Sequence, residues 1–74
     1  MTQQHTDHLV KMANQIAQNL AANGDTDQVA ALVHNHINRF WSPLMKQQIM
    51  QHARENHGTG LEPAARKAVE NLAG

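Results

Sequence analysis

One apolar spacing occurs twice in this chain, and it settles most of what the chain can become. Apolar or small residues fall at Leu9, Met12, Ala13, Ile16, Ala17 and Leu20. A second set follows at Val29, Leu32, Val33, His36, Ile37 and Phe40. This i, i+3, i+4, i+7 series draws a single stripe along a helix of 3.6 residues per turn, and each stripe must be covered by something. Thr6 or Asp7 can cap the first helix, and Asn23-Gly24 can end it, because glycine takes left-handed backbone angles at low cost. Asp25 and Gln28 have the spacing of a capping box that opens the second helix. So short a connection predicts antiparallel neighbours with their apolar faces together.

Two more helices follow. Ser42 can cap a third with Pro43 at its first position, where the missing N–H would have had no helical partner. Its stripe is Met45, Ile49, His52 and Ala53, widened by Leu44 and Met50. His57-Gly58-Thr59-Gly60 is a break, after which Pro63 can open a last helix with a thin stripe at Leu61, Ala65, Ala68, Val69 and Leu72. Strand-like alternation is absent. The expected fold is all-α, a small bundle of three to four short amphipathic helices in a single domain over residues 1–74, with helices at roughly 8–22, 26–41, 43–56 and 63–73.

Composition narrows the function. With 74 residues and no cysteine, the chain has neither a disulfide framework nor a thiolate zinc site, and a reducing compartment, the cytoplasm, is expected. A core of this size rarely supplies more than about 3–5 kcal/mol, so a partner that binds the folded form would stabilise it by mass action. Six lysines and arginines balance six acids, which leaves no footprint for a nucleic-acid backbone or an anionic membrane. No apolar run is long enough to span a bilayer, and MTQQHTDH lacks the basic and apolar regions of a signal peptide.

Sites of chemistry are not evident. A nucleophile with its base, a paired carboxylate or a phosphate-binding glycine loop does not occur, and Asp7, Asp25, Asp27 and Glu62 stand at helix starts, where capping explains them. Among six histidines, the set His34, His36, His52 and His57 is the most suggestive of a metal. Yet His34 and His36 are two apart and point to opposite sides of a helix, and His5 and His8 sit at a terminus, so no metal ligand is expected. His36 alone falls in an apolar stripe, as a satisfied core or boundary histidine or as a partner contact. The helix, turn, helix order around SPLM could suggest a DNA reader, but beside Lys46 and Arg54 the third helix offers Gln47, Gln48, Gln51 and Glu55.

Both aromatic side chains stand at one corner, in HINRFWSPLM, residues 36 to 45. Phe40 continues the stripe and reads as core. Trp41 lies at the stripe's edge, four residues after Ile37, where it either packs the corner or anchors another subunit. Arg39 points elsewhere on the helix.

Three segments then carry a resemblance: LVKMANQIA at 9 to 17, HINRFWSPLM at 36 to 45 and GLEPAARKAVENL at 60 to 72. The chain resembles the delta subunit of cytoplasmic, NAD-dependent, molybdenum-containing formate dehydrogenases, with Phe40-Trp41-Ser42-Pro43-Leu44-Met45 similar to that family's Phe-Trp-x-Pro-x-Met signature. It departs at Glu62, where the family commonly has Asp, and at Ala64 and Ala65, where larger aliphatics are common. Glutamate caps poorly, so a loose start to the last helix is expected.

The resemblance implies a non-catalytic accessory subunit that supports assembly, stability or maturation of the molybdenum-bearing catalytic alpha subunit. Molybdopterin guanine dinucleotide, iron–sulfur clusters, FMN and NAD are then implied for partner subunits, and no cofactor for this chain. Docking is expected through Asn14 and Gln15 of the MANQI segment and through Arg39, Trp41, Pro43 and Met45 at the corner. The alternative is a free-standing helical regulator, a weak homodimer or a weak nucleic-acid binder.

Overall fold

A computed structural model describes residues 2–72, with side chains described from Thr6 onward. Four α-helices follow in order: α1 Thr2–Leu20, α2 Thr26–Phe40, α3 Pro43–Glu55 and α4 Pro63–Glu70, with a single 3₁₀ turn, Ala21–Asn23, after α1. There is no strand among the described residues. The radius of gyration is 11.0 Å. A compact chain of this length should have about 11 Å.

The reversal between α1 and α2 rests on local chemistry. Gln28 N–H donates to Asp25 Oδ1 and Asp25 N–H donates to Gln28 Oε1, each at 2.9 Å, so the expected capping box forms. Gly24 sits at φ 154°, and a Cβ there would lie 2.0 Å from Gln28 Oε1. Any other residue at this position would collide with the cap that starts α2. Helix α1 begins at Thr2, ahead of the expected start, because Thr6 and Asp7 lie within the helix rather than capping it. The expected end of the last helix, at residue 73, lies outside the described residues.

One core joins all four helices. Leu9, Ala13 and Ala17 of α1 meet Val29, Ala30, Val33 and Ile37 of α2, with Ile49 of α3 and Ala65, Ala68 and Val69 of α4. Ile37 and Ile49 are fully buried. The expected α4 stripe is buried along its length, Leu61 and Leu72 included. Alanines at 13, 17, 30, 65 and 68 are all buried. Small side chains let helix axes approach closely, which is how α4, only 8 residues long, holds its place.

Helix α4 runs in the same direction as α2. Lys67 donates to Asp27 near the start of α2, and one turn later Asn71 lines a shallow groove with His34 and Asn35. Hydrogen bonding to the Asp27 carboxylate, with its charge, raises the Lys67 ammonium above its usual 10.5. A raised lysine contributes its stabilisation below that ordinary value and loses it as pH rises through the shifted one. Both partners are exposed, so this pair is a minor fastener.

The connection from α3 to α4 carries strain. His57 adopts φ 57° directly after the Asn56 cap, with Gly58 at 68° and Gly60 at 88°. Asn56 caps α3 by donating its N–H to His52 O at 2.9 Å. Left-handed angles cost a residue with a Cβ about 1–2 kcal/mol, and glycine there gives back roughly 0.4–1 kcal/mol through the unfolded chain. His57→Gly is therefore expected to raise stability by about 0.5–1 kcal/mol, read as a higher urea midpoint with unchanged slope. An unchanged or lower midpoint would show that the histidine ring contributes more than its backbone costs.

Candidate functional site

The corner between α2 and α3 is built by Ser42-Pro43. Proline restricts the residue before it to extended angles, and Ser42 obeys at φ −67°, ψ 159°. Its Oγ accepts from Met45 N–H at 3.2 Å, capping α3. Trp41 is extended as well, at φ −86°, ψ 144°, while its N–H still donates to Ile37 O at 3.0 Å. Two successive extended residues take the chain out of the helical screw. That reversal decides where the aromatics go.

Trp41 is in the core. It is 6% exposed and belongs to the cluster that contains Ile37 and Ile49, whereas Phe40 is 69% exposed. This corrects the expectation that Phe40 is core and Trp41 lies at its edge. Helical phase carries the stripe to Phe40, but the packed face of α2 ends at Ile37, and Trp41, released from the screw, fills the space beyond it. Trp41 therefore has almost no surface to offer a partner in this conformation. His36, expected in the stripe, is exposed too, with its ring tilted against Phe40 at 4.9 Å between centroids.

The exposed apolar residues gather near this corner. Leu32 at 38%, Phe40 at 69% and Leu44 at 62% are the exposed large hydrophobics among the described residues. Leu32, His36 and Phe40 stand four residues apart on α2, and Leu44 follows on the first turn of α3. The Arg39 guanidinium carbon lies 5.8 Å from the Phe40 ring centroid, within cation–π range. Lys46 Nζ donates to Asn38 O at 3.4 Å, where the carbonyls at the end of α2 attract a cation.

The other residues expected to face a partner are divided. Arg39, Pro43 and Gln15 are exposed, and Met45 is half-buried against the core. Asn14 works inside the chain. Its Nδ2 donates to Gly60 O and its Oδ1 accepts from Glu62 N–H, both at 2.8 Å. The MANQI segment thus holds the GLEP segment directly. Gln18, one turn on, donates to the Glu62 carboxylate. Glu62 caps α4 without a side-chain hydrogen bond, as its poor capping chemistry suggests, yet the start is not loose, because α1 fastens it.

Sequence periodicity misplaced Phe40 and overlooked Leu44 and Leu32 as surface. A usable signal for Trp41 was present in Ser42-Pro43, which ends α2 two residues ahead and frees Trp41 from the helical screw, while Phe40, still helical, lies on the same outer edge as Leu32 and His36.

The described histidines do not gather. His52 Nε2–H donates to Thr59 O at 2.7 Å, since a carbonyl can only accept, and its Nδ1 then faces the Asn56 amide at 3.3 Å. His34 lines the α2–α4 groove and His36 leans tilted against Phe40. Among the described residues no three histidine, aspartate or glutamate side chains gather as they would around a metal ion. No described helix is long and apolar enough to cross a membrane.

Comparison with curated proteins gives no match, and comparison with solved structures gives none either. A family model does match, described as the NADH-dependent formate dehydrogenase delta subunit FdsD, over residues 8–69 of the 74. That span takes in the MANQI segment, the whole Phe40 to Met45 corner and most of α4, the parts that Asn14 and Trp41 tie together. The chain belongs to the delta-subunit family of NADH-dependent formate dehydrogenases.

Proposed function

We propose that this chain is a non-catalytic accessory subunit, which docks on the molybdenum-bearing catalytic subunit of a cytoplasmic formate dehydrogenase and supports its assembly, stability or maturation. The family match over residues 8–69 carries this proposal. Exposed Phe40 and Leu44 support it, because large apolar side chains clustered at one corner favour a protein partner. Cofactor chemistry falls to the larger subunits. Iron–sulfur clusters are held by cysteine thiolates, and this chain has no cysteine, so its contribution is a folded surface.

The mass-action argument gives the role its physical content. A partner at about 100 times its Kd stabilises what it binds by about 2.7 kcal/mol, and the larger subunit gains by docking just as this one does. The test is co-expression of the formate dehydrogenase subunits with and without this chain. Omission should lower the yield of assembled complex, or molybdenum per catalytic subunit, several-fold, as changes of about 1–2 kcal/mol do to abundance in cells. Equal yield, equal molybdenum and equal formate oxidation would overturn the proposal.

A further inference from the structure

We infer that Phe40 and Leu44, flanked by Arg39 and Lys46, insert into an apolar socket edged with carboxylates on a larger subunit of the complex. This rests on the accessory-subunit proposal and adds to it a surface and the chemistry of what covers that surface.

Two observations meet at the corner. The first is apolar area in one place. Phe40 and Leu44, both more than three-fifths exposed, flank the buried Trp41, and Leu32 extends the ridge two turns back along α2. Eight residues of helix are about 12 Å, the reach of one binding cleft. The ridge stands on rigid supports: Trp41, next to Phe40, is buried in the core, Ser42 caps α3, and Pro43 holds the turn. A preorganised anchor loses little freedom on docking, which raises its value as a hot spot.

The second observation is charge. From Gln28 to Arg54 the chain contains no acid, while Arg39, Lys46 and Arg54 give the stretch three cations. The acids that bound it are engaged, Asp27 by Lys67 and Glu55 by Gln51. The Arg39 guanidinium approaches the Phe40 ring to 5.8 Å from its centroid, so whatever covers that ring meets a cation beside it. A neutral protein has thus kept acids out of the whole stretch that carries its exposed aromatic, with Arg39 against the Phe40 ring and Lys46 on the Asn38 carbonyl at the same helix end. Carboxylates are the side chains that pair with such cations.

Charge also rules on a second copy. A two-fold dimer through this face would bring two copies of the same cationic, acid-free stretch together, because an isologous interface uses the same patch on both sides. Like charges brought together in that way oppose association. A larger subunit with complementary charge faces no such penalty.

The test uses the full chain co-expressed with the formate dehydrogenase subunits. Phe40→Asp with Leu44→Asp changes two exposed side chains, so its thermal melt should match wild type, while co-purification should fall at least about tenfold, the effect of 1.4 kcal/mol. A folded double variant that co-purifies like wild type would overturn the assignment. Arg39→Glu with Lys46→Glu should slow association at low ionic strength, with the difference shrinking as salt screens the charges. No change at low salt would remove the carboxylate rim. If sedimentation shows the isolated chain as a dimer that Phe40→Asp dissolves, the occupant is a second copy and the inference fails. Failure here is separable from failure of the role. Should docking depend on Phe40 while omission of the chain alters neither yield nor molybdenum, the surface stands and the role falls. Should omission be damaging and the double variant restore everything, the role stands and the surface falls.

Discussion

Trp41→Ala is expected to unfold the isolated chain. Removing a buried large aromatic costs about 3–5 kcal/mol, and a single core in a domain of this size holds about that much in total. Trp41 is 6% exposed and shares its cluster with fully buried Ile37 and Ile49, so truncation would leave a cavity that short helices could close only by shifting. Its neighbour supplies the control. Phe40→Ala, at a position 69% exposed, should stay within about 0.5 kcal/mol of wild type. Urea denaturation followed by circular dichroism separates the two. A Trp41→Ala protein that melts like wild type would show that the ring is not part of the working core, and the corner would need another explanation. If Phe40→Ala were the damaging change, the positions of the two aromatics would be reversed.

That contrast marks where the sequence was legible. Along the bodies of α1 and α2 the apolar stripe finds the core directly, since Leu9, Ala13, Ala17, Val29, Val33 and Ile37 are all buried. The capping box at Asp25 and the cap at Ser42 are equally plain, because each is a local arrangement within four residues. Periodicity fails at the end of α2 for a definite reason. It assumes a constant turn of about 100° per residue, and Ser42-Pro43 ends that constancy at Trp41. Phe40, His36 and Leu32 show a different error. They flank the stripe, where a small shift in phase is the difference between covered and open.

The candidate site was legible in part. The HINRFWSPLM segment drew attention to the right corner, but helix phase pointed to Trp41 rather than Phe40 as the aromatic with surface to spare. Arg39 and Pro43 are exposed beside it, which keeps them within a docking surface, while Met45 turns partly inward. Asn14 was not legible as a tether. Its partners lie 46 and 48 residues away, and a polar residue bonding over that separation leaves no periodic trace. The family resemblance brought Asn14 forward, and the structure gives it a role within the chain.

Asn14→Ala should therefore weaken the fold rather than docking alone. One amide makes two bonds to one loop, donating to Gly60 O and accepting from Glu62 N–H, each at 2.8 Å. A net hydrogen bond contributes about 1 kcal/mol, and leaving a part-buried backbone group without its partner adds to that, so the expected loss is about 2–3 kcal/mol. The loss falls on α4, because Glu62 has no side-chain cap and depends on Asn14 to fix where Pro63 begins the helix. Hydrogen exchange should report it locally, with the Glu62 amide losing protection before the amides of α2. Asn14→Asp is the sharper variant. It can still accept from Glu62 N–H, but it sets a carboxylate oxygen against the Gly60 carbonyl, where no donor remains, and it adds a negative charge beside Glu62. It should lie between wild type and Asn14→Ala at low pH, where the protonated acid can donate to Gly60 O, and should fall toward Asn14→Ala as the carboxyl ionises. An Asn14→Ala protein with wild-type stability and an equally protected Glu62 amide would return Asn14 to the docking surface and leave the start of α4 without its support.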